Sequence, residues 1–125
     1  MHKILIIGTG GFIGAVGRYY LSGWIQRAID RPWYPFGTLG VNCLGCLVIG
    51  LLAGLADNRN LFSPDTRLFL LVGLLGAFTT FSTFGFETFA LIRDEQFILA
   101  GINIAGQIIL GLIAVWLGYT LSNLI

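Results

Sequence analysis

Charge is missing from long stretches of this chain. Arg31 to Asp57 encloses 25 uncharged residues, Arg67 to Glu87 encloses 19, and 30 follow Glu95 up to Ile125. Between Lys3 and Arg27 the only charge is Arg18. A helix that crosses a bilayer needs roughly 20 mostly apolar residues. Four spans are therefore predicted, at residues 4–25, 36–56, 68–92 and 97–124. Only 10% of the 125 residues are charged and 56% are hydrophobic, whereas soluble domains carry about 25% charge. The expectation is an all-α membrane protein forming one domain over residues 1–125, with no room for a soluble domain. The net charge of +1 provides no basic field for a nucleic-acid backbone, which excludes that partner class.

Short connections carry the turn signals. Asp30 to Pro35 joins the first two spans, Asp57-Asn58-Arg59-Asn60 through Ser63-Pro64-Asp65 the next two, and Arg93-Asp94-Glu95 the last two. Pro, Asp and Asn favour turns by fixing φ or by bonding nearby backbone. Trp24, Trp33, Tyr34 and Tyr119 fall near predicted span ends, where amphipathic rings prefer the headgroup level. The first span is not a signal peptide, because Arg18 lies inside it and the rest of the chain is equally apolar.

Four spans place both termini on one side, with Lys3, Arg59 and Arg67; Arg27, Arg31 and Arg93 fall on the other. An excess of Lys and Arg normally decides which side is cytoplasmic, and here the two sides tie. Either one or two residues decide weakly, or both orientations insert and pair as an antiparallel dimer. Such pairing would supply the in-plane two-fold that many transporters build from inverted repeats.

Glycine patterns carry two messages. Gly10 with Gly14, and Gly50 with Gly54, are four apart and let helix backbones approach closely in lipid. Lys3 to Ile7 followed by Gly8-Thr9-Gly10-Gly11-Phe12-Ile13-Gly14, with Asp30 beyond, imitates a strand and dinucleotide-binding loop. That fold needs further strands alternating with helices that have a polar face, and residues 36–56 and 97–125 have none. Cys43 and Cys46 form Cys-x-x-Cys, but a tetrahedral metal site needs two more ligands and the only His is His2. Two small residues facing a neighbouring helix is the simpler account.

The informative polar groups lie within the spans. Arg18 is the only cation inside one; such a group faces the bundle or water, or snorkels to the interface. Asn42 serves either as an interhelical hydrogen bond or as a donor lining a path. From Phe78 to Phe86, four hydroxyl residues and four phenylalanines fall within nine positions. Ser and Thr bond the preceding turn and bend helices, and together with Gly76 they would let the third helix open at mid-membrane. Freed carbonyls there suit a hard cation such as Na⁺. Phe81 and Phe84 are three apart and share a face. They either face lipid or turn their electropositive ring edges to a small anion, with Ser82 and Thr83 adding donors. Asn103 and Gln107 share a face of the fourth span, where they join helices or extend a polar track.

In order along three of the four spans, Gly10-Gly11-x-x-Gly14-x-x-x-Arg18, Gly37-Thr38-Leu39-x-Val41-Asn42 and Gly76-x-x-Thr79-Thr80-Phe81-Ser82-Thr83-Phe84-x-x-Glu87 resemble the bacterial fluoride channels of the Fluc (CrcB) family. The resemblance implies a non-enzymatic, multi-pass protein of the bacterial inner membrane that lets fluoride leave the cytoplasm passively. It implies an antiparallel dual-topology homodimer with two pores, each built from both subunits. By position, Phe81 and Phe84 resemble the aromatic pair at the fluoride path, Asn42 its amide donor, and Ser82 and Thr83 its hydroxyl track. Arg18 resembles the first-span arginine. Gly76 and Thr79 resemble the positions whose backbone carbonyls cage a structural Na⁺ at the dimer centre. Glu87 matches the acidic residue after the aromatic pair. Gln107 and Asn103 join the polar track by spacing alone.

Fluoride is small and strongly hydrated, so a passage must offer several weak donors in place of its water without trapping it. The alternative is a small multidrug-type, proton-coupled exporter, also four-helical and dual-topology. That chemistry wants a carboxylate deep in the membrane, and Glu87, towards one end of the third span, is the only acid within the spans. A non-transporting anchor subunit would not need the hydroxyl-aromatic stretch.

Overall fold

The structure, a computed structural model, describes residues 1–59 and 61–125. Asn60, part of the expected second turn, lies outside the described residues, as does the side chain of Asn58. The described chain is helical throughout and contains no strand. Helix α1 spans His2–Ile29, α2 Phe36–Arg59, α3 residues 64–78, α4 Phe81–Arg93 and α5 Phe97–Ser122. The segment that imitates a strand and phosphate loop is continuous helix within α1. Taking α3 and α4 as one interrupted span, four segments among the described residues are long and apolar enough to cross a membrane. The first and third are longer than expected, at His2–Ile29 and Pro64–Arg93.

Local chemistry explains where the helices begin and end. Asp30 closes α1 in the left-handed region, with φ 50° and ψ 43°, and its N–H donates to the Gln26 carbonyl; Asp is one of the few residues that visit this region readily. Ser63 opens α3 by accepting the Thr66 N–H, with Pro64 in the first turn, where a missing N–H costs nothing. Glu95 takes φ 60° in the tight turn before α5.

Packing follows the glycines. Helices α2 and α5 form the most extensive pair, and α1 lies along α3. A Cβ on Gly50 would strike the Val115 carbonyl, one on Gly54 the Ser122 hydroxyl, and one on Gly118 the Leu47 carbonyl. In the other pair, a Cβ on Gly10 would meet the Phe69 carbonyl oxygen at 2.6 Å, and one on Gly14 would strike the Leu74 carbonyl. These close approaches let dispersion contacts and backbone proximity hold the helices together where lipid removes the hydrophobic drive.

One feature goes beyond the sequence pattern, and a second bears on the expected opening of the third helix. Leu68–Leu75 within α3 is π-helical, a rare widened form that clusters at functional segments. The third span is also interrupted: Thr79 and Thr80 are extended, with ψ 157° and 107°, between Phe78 and Phe81. The expectation that Gly76 takes part in the opening needs correction. Gly76 remains right-handed helical at φ −60° and ψ −33°, and the backbone departs three residues later.

Candidate functional site

The interruption is built around Asn42. Its Oδ1 accepts the Thr80 N–H at 2.8 Å and its Nδ2 donates to the Thr80 carbonyl at 3.2 Å. The Thr80 N–H thus goes to a side chain of α2 instead of to the Gly76 carbonyl four residues back. Thr80 also starts α4: its Oγ1 accepts the Thr83 N–H at 3.3 Å and lies 2.8 Å from the Thr83 hydroxyl. The Ser82 hydroxyl lies 3.5 Å from Thr80 Oγ1 as well. Ser and Thr are good caps because their oxygen satisfies an otherwise orphaned helix N–H.

The same amide fixes its neighbour. Asn42 must present Oδ1 to the Thr80 N–H, so Nδ2 is the atom that faces Gln107, and Gln107 answers with Oε1 at 3.0 Å. That leaves Gln107 Nε2 as a buried N–H donor without an acceptor among the described residues. Such a group costs about 1–3 kcal/mol unless something supplies the missing partner.

Asn42, Gln107, Thr79, Thr80, Phe81 and Phe84 share a cleft of 350 Å³ whose remaining walls are mainly apolar. The rings of Phe81 and Phe84 meet edge-on, with centroids 5.4 Å apart and planes at 64°. Phe81 is 83% exposed, while Phe84 is half-buried. A second cleft of 380 Å³ holds Arg18, Ser22, Thr38, Thr80 and Thr83. A third of 590 Å³ holds Ser22, Gln26, Tyr34, Thr38, Glu87 and Asp94. Thr80 is common to the first two clefts and Thr38 to the last two, so hydroxyls mark the boundaries between them.

Arg18 is half-buried and, among the described residues, has no carboxylate within ion-pair distance. Its guanidinium therefore leaves positive charge in the second cleft. Thr38 Oγ1 donates to Glu87 Oε1 at 2.6 Å, while Glu87 Oε2 is buried without a partner among the described residues. On α5, Asn103 is fully buried and donates to Thr88 Oγ1 at 3.0 Å. Thr88 in turn donates to the Phe84 carbonyl at 2.8 Å. Asn103 thus joins α5 to α4, whereas Gln107 joins α5 to the cleft.

The structure brings together Asn42, Phe81, Phe84 and Gln107 directly, with Thr83 and Arg18 along the adjoining cleft; Ser82 is exposed and lines neither cleft, approaching only the Thr80 hydroxyl. Cys46 meets α5 across Gly111, its Sγ 3.5 Å from where a Cβ there would stand. Tyr34 is not the outward-facing interfacial ring that its position suggests. Trp24 and Trp33 are exposed, but Tyr34 is 5% exposed. Gln26 draws its loop inward, donating to the Tyr34 and Arg31 carbonyls and accepting the Gly37 N–H. Burial pushes the Tyr34 phenol above its ordinary pKa, with Cys43 and then Glu87 adding to the rise. Thr38, Thr88 and Gln26 carry no individual role in the sequence reading, because single polar residues on separate helices leave no periodic signal.

A family model described as "CrcB-like protein, Camphor Resistance (CrcB)" matches residues 5–119. The chain belongs to the CrcB family. CrcB relatives match along almost the whole chain. "Fluoride-specific ion channel FluC 3" of Methanosarcina barkeri is 44% identical over 122 residues, covering 98% of this chain and 91% of that protein. "Fluoride-specific ion channel FluC 1" of Methanosarcina acetivorans is 47% identical over 118 residues, covering 94% and 88%. "Fluoride-specific ion channel FluC" of Methylobacillus flagellatus is 45% identical over 125 residues, covering 99% and 97%. Family membership and four spanning segments among the described residues make this CrcB chain a multi-pass membrane protein, and the relatives above carry the name of an ion channel and not of an enzyme.

Proposed function

We propose that this chain conducts fluoride passively out of the cytoplasm, across the inner membrane where a cell has two, as one half of an antiparallel dual-topology homodimer with two pores. The observation that carries the reading is the orphaned Gln107 Nε2 in the cleft beside Asn42, Phe81 and Phe84. A buried donor with no acceptor asks for an anion, and the electropositive edges of the two rings suit the same charge. Ser82, Thr83 and the Thr80 hydroxyl continue the row of donors toward Arg18. Each is weak singly, which lets a strongly hydrated halide exchange its water stepwise without being held. The names of the relatives support fluoride as that halide.

The one four-helix domain leaves a face for a second copy. Helix α4 has few neighbours within the chain, and its Phe81, Phe86 and Phe89 are exposed. The tie between Lys/Arg counts on the two sides suits a partner inserted the other way up. In that arrangement the interruption at Thr79–Thr80 lies at mid-membrane. Irregular backbone at such depth survives only when covered by protein or lining a watery path.

The implied Na⁺ fits the residues present. Asn42 withdraws the Thr80 N–H from the Gly76 carbonyl, and the departure of the chain at Thr79 frees carbonyl oxygen nearby. Hard oxygen donors suit a hard cation. Gly76 and Thr79, from each subunit, would hold the ion, which when bound would offset the negative ends of those carbonyls at the dimer centre.

No observation favours the multidrug-type exporter, since Glu87, the acid farthest from a span end, is tied to Thr38. Purified protein in liposomes under a potassium diffusion potential is expected to discharge fluoride and retain chloride. Equal passage of the two halides would overturn the reading.

A further inference from the structure

Cys43 and Cys46 are the chain's two cysteines, and both are free and half-buried. They stand three apart on α2, so their side chains share a face with Cβ atoms about 5–6 Å apart. Cys46 also lines the 350 Å³ cleft that holds Asn42, Phe84 and Gln107. Its sulfur occupies the space beside Gly111, where α5 offers no side chain to cover it. Among the described residues no third His, Cys, Asp or Glu joins them as a metal-binding group, which removes a four-coordinate metal. A centre that needs only two sulfurs remains. Trivalent arsenic carrying one organic group is such a centre, and soft thiolate sulfur is the ligand type that soft elements select.

We propose that Cys43 and Cys46 form a dithiol site for trivalent organoarsenicals beside the permeation cleft, whose wall Cys46 lines and Cys43 does not, and that filling it closes the passage. An aryl arsenoxide reacts with both thiols: two As–S bonds form, two S–H bonds break, and the oxygen leaves as water carrying both protons. Arsenic stays trivalent, so no oxidant or reductant is required. The neutral, apolar reagent reaches the thiols through the lipid, and its ring packs against the apolar walls at Ile49, Leu71 and Leu75. The blocking consequence rests on the fluoride-channel reading; the binding does not.

Phenylarsine oxide applied to the protein in liposomes is the test, read by intact mass and by fluoride flux. One adduct per chain, formed with loss of water, is expected together with loss of flux. Both effects are expected to reverse with 2,3-dimercaptopropanol and to resist β-mercaptoethanol, because a chelated arsenic yields only to another dithiol. Cys43→Ser is expected to keep basal flux and lose both the adduct and the block. Cys46→Ser, read by mass alone, is expected to lose the adduct. Absence of an adduct on the parent chain, or an adduct that survives Cys43→Ser, overturns the site. A complete adduct with undiminished flux overturns the blocking role. Untreated liposomes that pass no fluoride would count against the channel reading instead, and the mass measurement would still decide the dithiol site.

Discussion

Asn42 holds the backbone of Thr80 from both sides, accepting its N–H at 2.8 Å and donating to its carbonyl at 3.2 Å. One amide on α2 thereby replaces the helical hydrogen bonds that α3 and α4 give up where they part. It also orients Gln107, and through Gln107 it determines which polar atom is left facing the cleft.

Asn42→Leu therefore removes three hydrogen bonds at once and strands both backbone groups of Thr80. A loss of stability of about 1–3 kcal/mol is expected from the unsatisfied groups, together with loss of fluoride flux. Asn42→Asp keeps the acceptor for the Thr80 N–H but has no N–H to give, and it adds negative charge beside the path. It is expected to fold better than Asn42→Leu and still to conduct poorly. Thermal unfolding in detergent and liposome flux separate the two effects.

Phe81 is the most exposed ring of the aromatic pair, so its loss should cost this fold little. Phe81→Ile is expected to change the stability of the fold by no more than about 0.5 kcal/mol, as exposed substitutions usually do, while suppressing fluoride flux. Unchanged flux in a protein that still elutes as a dimer would remove the ring edge from the account.

Glycines separate into those under a neighbouring backbone and those in open space. Gly118→Ala drives a methyl group into the Leu47 carbonyl, whereas Gly85→Ala meets nothing within 4 Å. Overpacking of the first kind costs about 1–3 kcal/mol, so Gly118→Ala is expected to lower the unfolding temperature clearly. Gly85→Ala is expected to leave it in place or raise it, because Ala is the better helix former. Equal effects from the two would show that α2 and α5 do not pack through this seam.

Two lysines added after Ile125 break the tie between the two sides and are expected to drive the chain into one orientation. Fluoride flux should then fall, and should return when a variant of opposite bias is expressed alongside it. Full activity from a single-orientation population, established by accessibility of an engineered tag, would rule out the antiparallel pair.

Much of this architecture could be read along the chain. The spans follow from where charge is absent, since ionised groups are costly in lipid wherever they occur. The seams at Gly10, Gly14, Gly50 and Gly54 follow from spacing, because residues four apart share one helix face. Asn42, Phe81, Phe84 and Gln107 stand out as polar or aromatic residues in an apolar setting. The resemblance singled out Asn42, Phe81 and Phe84, and spacing alone added Gln107; the four line one cleft.

What the sequence by itself determined is therefore local and periodic: which segments are helical, which faces are narrow enough to pack, and which side chains are chemically out of place. The tertiary structure alone decided the rest. It confined the interruption to Thr79–Thr80 and left Gly76 helical, because Asn42 reaches across 38 positions of chain to satisfy the backbone there. It turned Gln107 so that an N–H was left over, because a hydrogen bond spanning 65 positions claimed its oxygen. It drew Tyr34 inward, because Gln26 holds the loop that carries it. Hydrogen-bond directions set between distant helices leave no repeat in the order of residues, so they emerge only once the helices meet.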